Sequence, residues 1–267
     1  MITAYHRPKS LDEALTLLTQ PNTQPLGGGT LLSKGTADPV QAVDLQLLGL
    51  DSLTKSGNNL ELGATLTLQA LLESEHCPEA LKTALKLEAP LNIRNTATVA
   101  GTLVSSDGRS TFACILQAMD VKIEQAVLNG KKVEYQTTNI GDYLSLRSTN
   151  LITKTIIPLN IKLAFEYVAR TPSDKPIVCA ALAQWNSGRS RLALGGYGTS
   201  PMLAMDGDLP PSPSGSPTGV LREGIEGEGL FAAARNAYHE ATDEYASAEY
   251  RMDVASTLAK RCLESLK

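Results

Sequence analysis

The pattern of hydrophobic and polar positions divides the chain near residue 160 into two parts. Before this point, strand-like segments alternate with helical ones. The first helix is predicted to begin at Ser10, because Ser10 and Glu13 have the spacing of a capping box and precede an apolar helical face. Beyond residue 160, the segments 163–170, 177–184 and 190–197 have the pattern of three successive strands, which predicts an antiparallel sheet.

The same patterns predict the other elements. Strands are predicted at Gln24–Leu26, Val40–Asp44, Asn59–Ala64 and Leu151–Ile157, and a hairpin is predicted to join Val121–Leu128 to Lys131–Gln136 through Asn129-Gly130. Helices are predicted after Thr67 and at Glu79–Leu87, Phe112–Met119, Ile140–Leu146, Gly229–Glu244 and Ala246–Ser265. Residues 45–53 are predicted to be a connection, and the Pro- and Ser-rich segment Asp208–Gly219 a surface loop.

Composition and charge exclude several classes of protein. The net charge is −4 and no cluster of Lys or Arg occurs, so a nucleic-acid partner is not expected. No apolar run approaches the roughly 20 residues of a membrane span, and the N-terminus has no apolar signal region. The four cysteines lie far apart without C-x-x-C pairs, which favours reduced thiols in a cytoplasmic protein over a disulfide framework, an iron–sulfur cluster or a zinc site.

Two stretches of small residues suggest a large ligand that carries phosphate. Gly27-Gly28-Gly29-Thr30 follows a predicted strand, and Thr98–Thr102 precedes a helical region. Small residues before a helix allow backbone N–H groups to approach an anion. The alternative for each is structural, a tight strand-to-helix turn or close packing of two elements. Neither stretch is G-x-G-x-x-G or a Walker loop, which argues against Rossmann dehydrogenases and P-loop NTPases.

The remaining candidate groups are few. Asp107 is either a ligand contact or a turn-forming residue, and Arg94 either a phosphate partner or part of a structural ion pair. No nucleophile–base arrangement and no metal-ligand spacing is visible. Any redox chemistry would therefore depend on a cofactor.

Taken together, five motifs resemble the FAD-binding medium subunit, or FAD domain, of the molybdenum hydroxylases, which include carbon monoxide and xanthine dehydrogenases. LGGGTLL at 26–32 is similar to the first flavin loop of this family, and IRNTATVAGTL at 93–103 is similar to the second. The similarity continues through SSDGRS at 105–110 with LQAMD at 116–120, RLALGGYG at 191–198 and SAEYR at 247–251. The resemblance spans almost the whole chain.

The resemblance implies an α+β fold. An FAD-binding domain of PCMH type, 1–160, would consist of two α/β subdomains at about 1–53 and 54–160, and 161–267 would form a small C-terminal domain with a three-stranded antiparallel sheet and helices. Backbone groups of the two loops would hold the FAD diphosphate, and Asp107 would contact the ribityl or flavin region. The implied cofactor-binding residues are Leu26, Gly27, Gly28, Gly29, Thr30, Leu31, Leu32, Ser33, Thr98, Val99, Ala100, Gly101, Thr102, Asp107, Ile152 and Tyr167.

The implied function is electron transfer by an FAD-dependent oxidoreductase subunit. Electrons would come from a molybdopterin-binding large subunit through a 2Fe–2S small subunit and leave to an acceptor. Substrate oxidation would take place on a partner chain, which agrees with the lack of cysteine clusters in this one.

The chain departs from the family pattern at four positions. Leu31 replaces an acidic residue, Ala100 a Gly, Thr102 an Asn, and Tyr167 stands where Lys is common. Backbone contacts survive such changes, whereas side-chain contacts at Leu31, Thr102 and Tyr167 would be lost or altered. Two alternatives therefore remain: a binding or scaffold protein with weakened FAD binding, and a stand-alone flavin oxidoreductase, for which no substrate-side base is recognisable.

Overall fold

The chain folds into two compact units, each assembled from separate stretches of sequence. The computed structural model describes residues 1–34, 38–130, 132–172, 174–208 and 227–267. The first unit comprises Met1–Cys77, Ala89–Ser105 and Asp120–Leu159, and the second Pro78–Glu88, Ser106–Met119 and Asn160–Lys267. The loop predicted at Asp208–Gly219 lies, after its first residue, outside the described residues.

The first unit begins with a small parallel sheet. Its strands are β1 (Ile2–His6), β2 (Thr23–Leu26) and β3 (Val40–Asp44), and both outer strands run parallel to the central β3. Helix α1 (Leu11–Leu18) joins β1 to β2, and the Ser10 hydroxyl accepts the Glu13 N–H at 3.2 Å, which confirms the predicted cap. Because the strands are parallel, their carboxyl ends lie at one edge of the sheet.

An antiparallel sheet completes the first unit. Its order is β4-β5-β8-β6-β7, with β4 at Leu53–Ser56, β5 at Asn59–Gly63, β6 at Lys122–Asn129, β7 at Lys132–Asn139 and β8 at Leu151–Pro158. Four helices belong to the same unit, namely α2 (Leu68–Glu73), α4 (Leu91–Arg94), α5 (Val99–Val104) and α7 (Ile140–Leu146). The predicted hairpin is confirmed, whereas the short strand β4, mostly exposed, was not predicted.

The second unit is a sheet with helices. Its strands β9 (Ile161–Val168), β10 (Val178–Trp185), β11 (Arg189–Gly195) and β12 (Met202–Asp208) are antiparallel in the order β12-β11-β10-β9. Its helices are α3 (Glu79–Glu88), α6 (Thr111–Ala118), α8 (Glu228–Asn236) and α9 (Ala248–Ser265). The predicted sheet is thus confirmed but has four strands instead of three. The half-exposed edge strand β12 contains Gly207, which weakens its strand pattern.

Both faces of this second sheet are covered. The alternate β10 residues Val178, Ala180 and Leu182 pack in a core cluster with α9. Between them in sequence, Cys179 has its thiol in contact with the thiol of Cys114 in α6. This explains why the middle of β10 reads as a continuous apolar run. All four cysteines are free and buried, and burial raises the pKa of Cys262 to about 12, which makes that thiol a poor nucleophile.

Glu88 caps α6, a helix in which every residue is buried. Its Oε2 accepts hydrogen bonds from the Ser110 hydroxyl at 2.9 Å and the Phe112 N–H at 2.9 Å, and lies 3.2 Å from the Thr111 hydroxyl, which donates to Ala84 O at 2.7 Å. A carboxylate at a helix N-terminus is also favoured by the helix dipole. This one side chain therefore satisfies polar groups that the burial of α6 would otherwise leave unpaired.

Glu88→Gln is expected to lower the free energy of unfolding by about 1–3 kcal/mol, because charge-assisted hydrogen bonds become neutral ones in a buried setting. Urea denaturation measures this loss. Glu79→Gln, on the same helix α3 as Glu88, is the control, since the exposed Glu79 pairs with Lys82 at the surface and its replacement is expected to change stability little. Equal losses in the two variants would contradict the capping role.

Candidate functional site

The first glycine loop offers a row of main-chain donors. β2 ends at Leu26, the loop Gly27–Thr30 follows with Gly29 at φ +70°, and a short 3-10 helix spans Leu32–Lys34. Six successive N–H groups, from Gly27 to Leu32, have no hydrogen-bond acceptor among the described residues. Five of these six residues are half-buried and Leu31 is exposed, so water or an external acceptor such as an anion can reach the row.

Two glycines of this loop touch the second predicted loop. A Cβ at Gly28 would lie 1.6 Å from the carbonyl oxygen of Thr96, and a Cβ at Gly27 would lie 2.8 Å from Oγ1 of Thr98. No side chain fits at Gly28 without moving backbone. The structure thus brings the two predicted loops together within the first unit, and the reason for glycine is close backbone approach.

The second loop uses its own donors internally. Thr98 is the N-cap of α5, and its hydroxyl accepts the Gly101 N–H at 3.1 Å. The N–H of Val99 donates to Leu66 O at 2.8 Å and that of Ala100 to Ala64 O at 3.1 Å, while the Thr102 N–H donates to Thr98 O at 2.8 Å. These four groups support the local fold. The loop that carries the open donors is therefore the first one.

The two loops border a cleft of about 530 Å³ that lies within the first unit. Its lining residues are Gly27, Gly28, Gln46, Asp51, Thr65, Leu66, Thr67, Ala70, Asn95, Thr96 and Thr98. The buried Oγ1 of Thr65 has no hydrogen-bond partner in the described ranges. No Lys or Arg is among the described residues that line the cleft. A phosphate there would be met by main-chain N–H groups and hydroxyls.

The other predicted residues of the first unit differ in exposure. Leu31, the departure from an acidic residue, is 57% exposed. Val99 is completely buried, so its side chain serves the core. Ile152 is buried in β8, the strand against which α5 packs. Arg94 hydrogen bonds to the Gln69 side chain and to Ala89 O, which gives it a structural role.

Asp107 and Tyr167 belong to the second unit. The exposed Asp107 carboxylate accepts the Arg109 N–H at 2.9 Å and lies 3.4 Å from Nζ of Lys175. It therefore forms the predicted turn and keeps free lone pairs. Tyr167, on β9, is partly exposed and stacks on Phe165 with ring centroids 6.3 Å apart.

Sequence reasoning missed most of the cleft wall. Gln46 and Asp51 lie in the apolar segment predicted as a connection, 45–53, and Thr65 follows a predicted strand, and no pattern at these positions indicated a cleft. The one signal was Thr67, predicted as a helix cap and confirmed by its bond from the Ala70 N–H at 3.1 Å. Thr67 and Thr98 form an isolated antiparallel bridge, which sets two helix caps side by side at the cleft.

Paired glycine loops against a cleft, carried on an α+β scaffold, define a flavin-binding domain. Residues 1–160 match the family model described as the FAD binding domain in molybdopterin dehydrogenase, and the chain belongs to this family. The predicted family, the mixed fold and FAD as cofactor are thereby confirmed. The chain is an FAD-binding oxidoreductase component with an electron-transfer role.

Similar proteins cover from three quarters to almost all of the chain. The carbon monoxide dehydrogenase medium chain of Afipia carboxidovorans is 25% identical over 98% of this chain and 96% of its own. The glyceraldehyde dehydrogenase medium chain of Sulfolobus acidocaldarius is 25% identical over 76% of this chain and 78% of its own. In the crystal structure of cyanide-inactivated Cu,Mo-CO dehydrogenase, one chain superimposes with a TM-score of 0.80 at 23% identity, covering 99% of this chain and 97% of that one.

These relatives are medium chains or subunits of larger enzymes. Within the described residues, no helix has the length and apolar character needed to cross a membrane. No group of three His, Cys, Asp or Glu side chains in the described ranges is placed to hold a metal ion.

Proposed function

We propose that this chain is the FAD-carrying medium subunit of a molybdenum hydroxylase-type enzyme. It would take electrons from a 2Fe–2S small subunit, which receives them from a molybdopterin-binding large subunit, and pass them to an acceptor. The row of six open N–H donors, which begins at the cleft with Gly27 and Gly28, carries this proposal. The names of the similar medium chains support it. The complex is proposed to be cytoplasmic.

The first loop is proposed to hold the FAD diphosphate. The N–H groups of Gly27–Leu32 have no acceptor within the part of the chain that the structure describes, and a diphosphate supplies several acceptor oxygens to one row of donors. The residues present fit the group, because Gly27 and Gly28 line the cleft and the buried Thr65 hydroxyl has no partner among the described residues. FAD, when bound, supplies a centre that takes up and releases electrons.

The second loop is proposed to shape the site more than to donate to it. The N–H groups of Val99–Thr102 are engaged, so direct contact falls to side chains. The Thr98 hydroxyl accepts one hydrogen bond and retains a proton to donate. The Ala that replaces a Gly at 100 then costs little, because the main chain there acts structurally, whereas the Thr that replaces an Asn at 102 still alters a side-chain contact.

Asp107, Ile152 and Tyr167 remain proposed cofactor contacts. Asp107 keeps lone pairs for a ribityl hydroxyl, and the exposed part of the Tyr167 ring offers an aromatic surface. The buried Ile152 would act by supporting α5.

Purified protein is expected to bind FAD stoichiometrically, because the donors and the cleft are already formed. The visible absorption spectrum is recorded before and after FAD addition, and gel filtration separates bound from free flavin. A co-eluting, shifted flavin spectrum that bleaches with dithionite supports the proposal. Folded protein that binds no FAD, alone or with its partner chains, would instead favour the scaffold function.

A further inference from the structure

Asp44 is a buried carboxylate at the carboxyl edge of the parallel sheet. It is 1% exposed and ends β3. Its Oδ2 accepts a hydrogen bond from the Tyr5 hydroxyl, which raises the pKa of Tyr5, and lies 3.2 Å from Nε of Arg7. Its Oδ1 accepts the Gln46 N–H at 2.9 Å. A carboxylate is tolerated in such a place only when it has partners of this kind.

The backbone beside Asp44 is tied to the start of the glycine loop. Asp44 and Leu26 are register partners of β3 and β2, and the Leu45 N–H donates to Leu26 O at 3.0 Å. The residue after Leu26 is Gly27, the first of the open donors. Gln46, held by Asp44, lines the cleft together with Gly27. Asp44 therefore supports the loop and one wall of the cleft at once.

We propose that Asp44 is a positioning residue for the FAD site. Asp44 fixes the position of Gln46 and of the backbone at Leu26, where the row of donors from Gly27 to Leu32 begins. Tyr5 and Arg7 hold the Asp44 carboxylate in place. The proposal rests on the proposed function of the first loop as the diphosphate holder.

Asp44→Asn separates positioning from charge. Both carboxylate oxygens accept hydrogen bonds from donors, whereas an amide has one oxygen and one donor group, so one set of partners must lose its acceptor. Removing a negative charge near a diphosphate would, by charge alone, tighten FAD binding. Positioning predicts the opposite sign, because Gln46 or β1 is released.

The test compares wild type, Asp44→Asn and the matched control Glu61→Gln. Glu61 is an ion-paired carboxylate of the same unit, bonded to Lys154 at 2.8 Å and absent from the cleft lining. FAD binding is titrated by flavin fluorescence, and inorganic pyrophosphate is the competitor, at a temperature where each variant is folded. Asp44→Asn is expected to weaken both ligands about tenfold, a change the size of one lost hydrogen bond. Glu61→Gln is expected to change neither.

The pyrophosphate constant is the informative readout, because a purely structural residue would lower the melting temperature without changing the affinity of folded protein. Unchanged or tighter binding of both ligands in Asp44→Asn would overturn the proposal. If Asp44→Asn does not fold, the double variant Tyr5→Phe, Arg7→Gln replaces it. This variant keeps the Asp44 carboxylate and removes two of its partners, both at half-exposed positions. Wild-type affinity of the double variant for FAD and pyrophosphate would equally overturn the proposal. Wild-type protein that binds no FAD would instead contradict the proposed function.

Discussion

Gly28→Ala is expected to abolish tight FAD binding and to destabilise the first unit. The new Cβ would lie 1.6 Å from the carbonyl oxygen and 2.5 Å from the carbonyl carbon of Thr96. Both are main-chain atoms, so no rotamer change relieves the contact. Overpacking costs about 1–3 kcal/mol, and more where backbone must move. Displacing the donor row should raise the Kd for FAD about 100-fold or more.

Gly57→Ala is the matched control for this experiment. Gly57 lies in the β4–β5 turn of the same unit at φ +58°, and a Cβ there meets nothing within 4 Å. Its cost is backbone strain alone, roughly 1 kcal/mol, with unchanged FAD affinity. Thermal melting and flavin titration are measured on both variants. If Gly28→Ala bound FAD as tightly as wild type, close approach of the two loops would not be what shapes the site.

Arg251→Met is expected to cause the largest loss of stability in the second unit. Arg251 is completely buried in α9. Its guanidinium donates to Ala241 O at 2.6 Å and Ala246 O at 2.9 Å, pairs with Asp243 at 2.7 Å, and lies 5.1 Å from the centre of the Tyr197 ring. Removing one partner of a buried pair costs about 3–5 kcal/mol, because the other groups are left unpaired.

The control and the pH dependence identify the cause of that loss. Arg235, on α8, is 52% exposed and pairs with Asp253 on α9, so Arg235→Met should lower the free energy of unfolding by at most about 1 kcal/mol in urea denaturation.

Burial raises the pKa of Asp243, but the hydrogen bonds from Arg251, Tyr245 and Ala246 outweigh this effect and lower the pKa.

A lowered folded-state pKa gives stability that is present above the unfolded-state pKa, about 3.9, and is lost as pH falls through the folded value. Wild type should therefore lose stability below about pH 4, and Arg251→Met should show a smaller loss there. A pH dependence equal in the two proteins would mean that Arg251 does not set the ionisation of Asp243.

Arg251 also shows where sequence patterns stop being informative. The Ala-rich segment after residue 229 predicts a helix to Glu244, but α8 ends at Asn236. The prediction was wrong because the carbonyl groups of Ala241 and Ala246 and the carboxylate of Asp243 bind Arg251, a residue from the next helix. Such long-range contacts override local propensity and leave no periodic signal.

The two predicted loops also differ in how much of their structure the sequence could predict. Small residues after β2 predicted accessible backbone donors, and the N–H groups there have no acceptor among the described residues, because this property is local. The composition of Thr98–Thr102 is similar, yet its donors are engaged by Ala64 and Leu66, which come from a distant strand end. Composition indicates which N–H groups are sterically accessible. Only the tertiary structure shows which of them are already hydrogen-bonded.

The interleaving of the two units has a consequence for synthesis on the ribosome. Helix α6 ends at Ala118, while β10 and β11, which cover it, are complete only at Gly195. At about 5–20 residues per second, on the order of ten seconds pass between the synthesis of α6 and that of β10 and β11. During this time a helix whose residues are all buried in the folded protein lacks the sheet that covers it. The nascent chain must therefore keep α6 from associating with other chains during that interval, so slower elongation across residues 119–195 would increase misassembly.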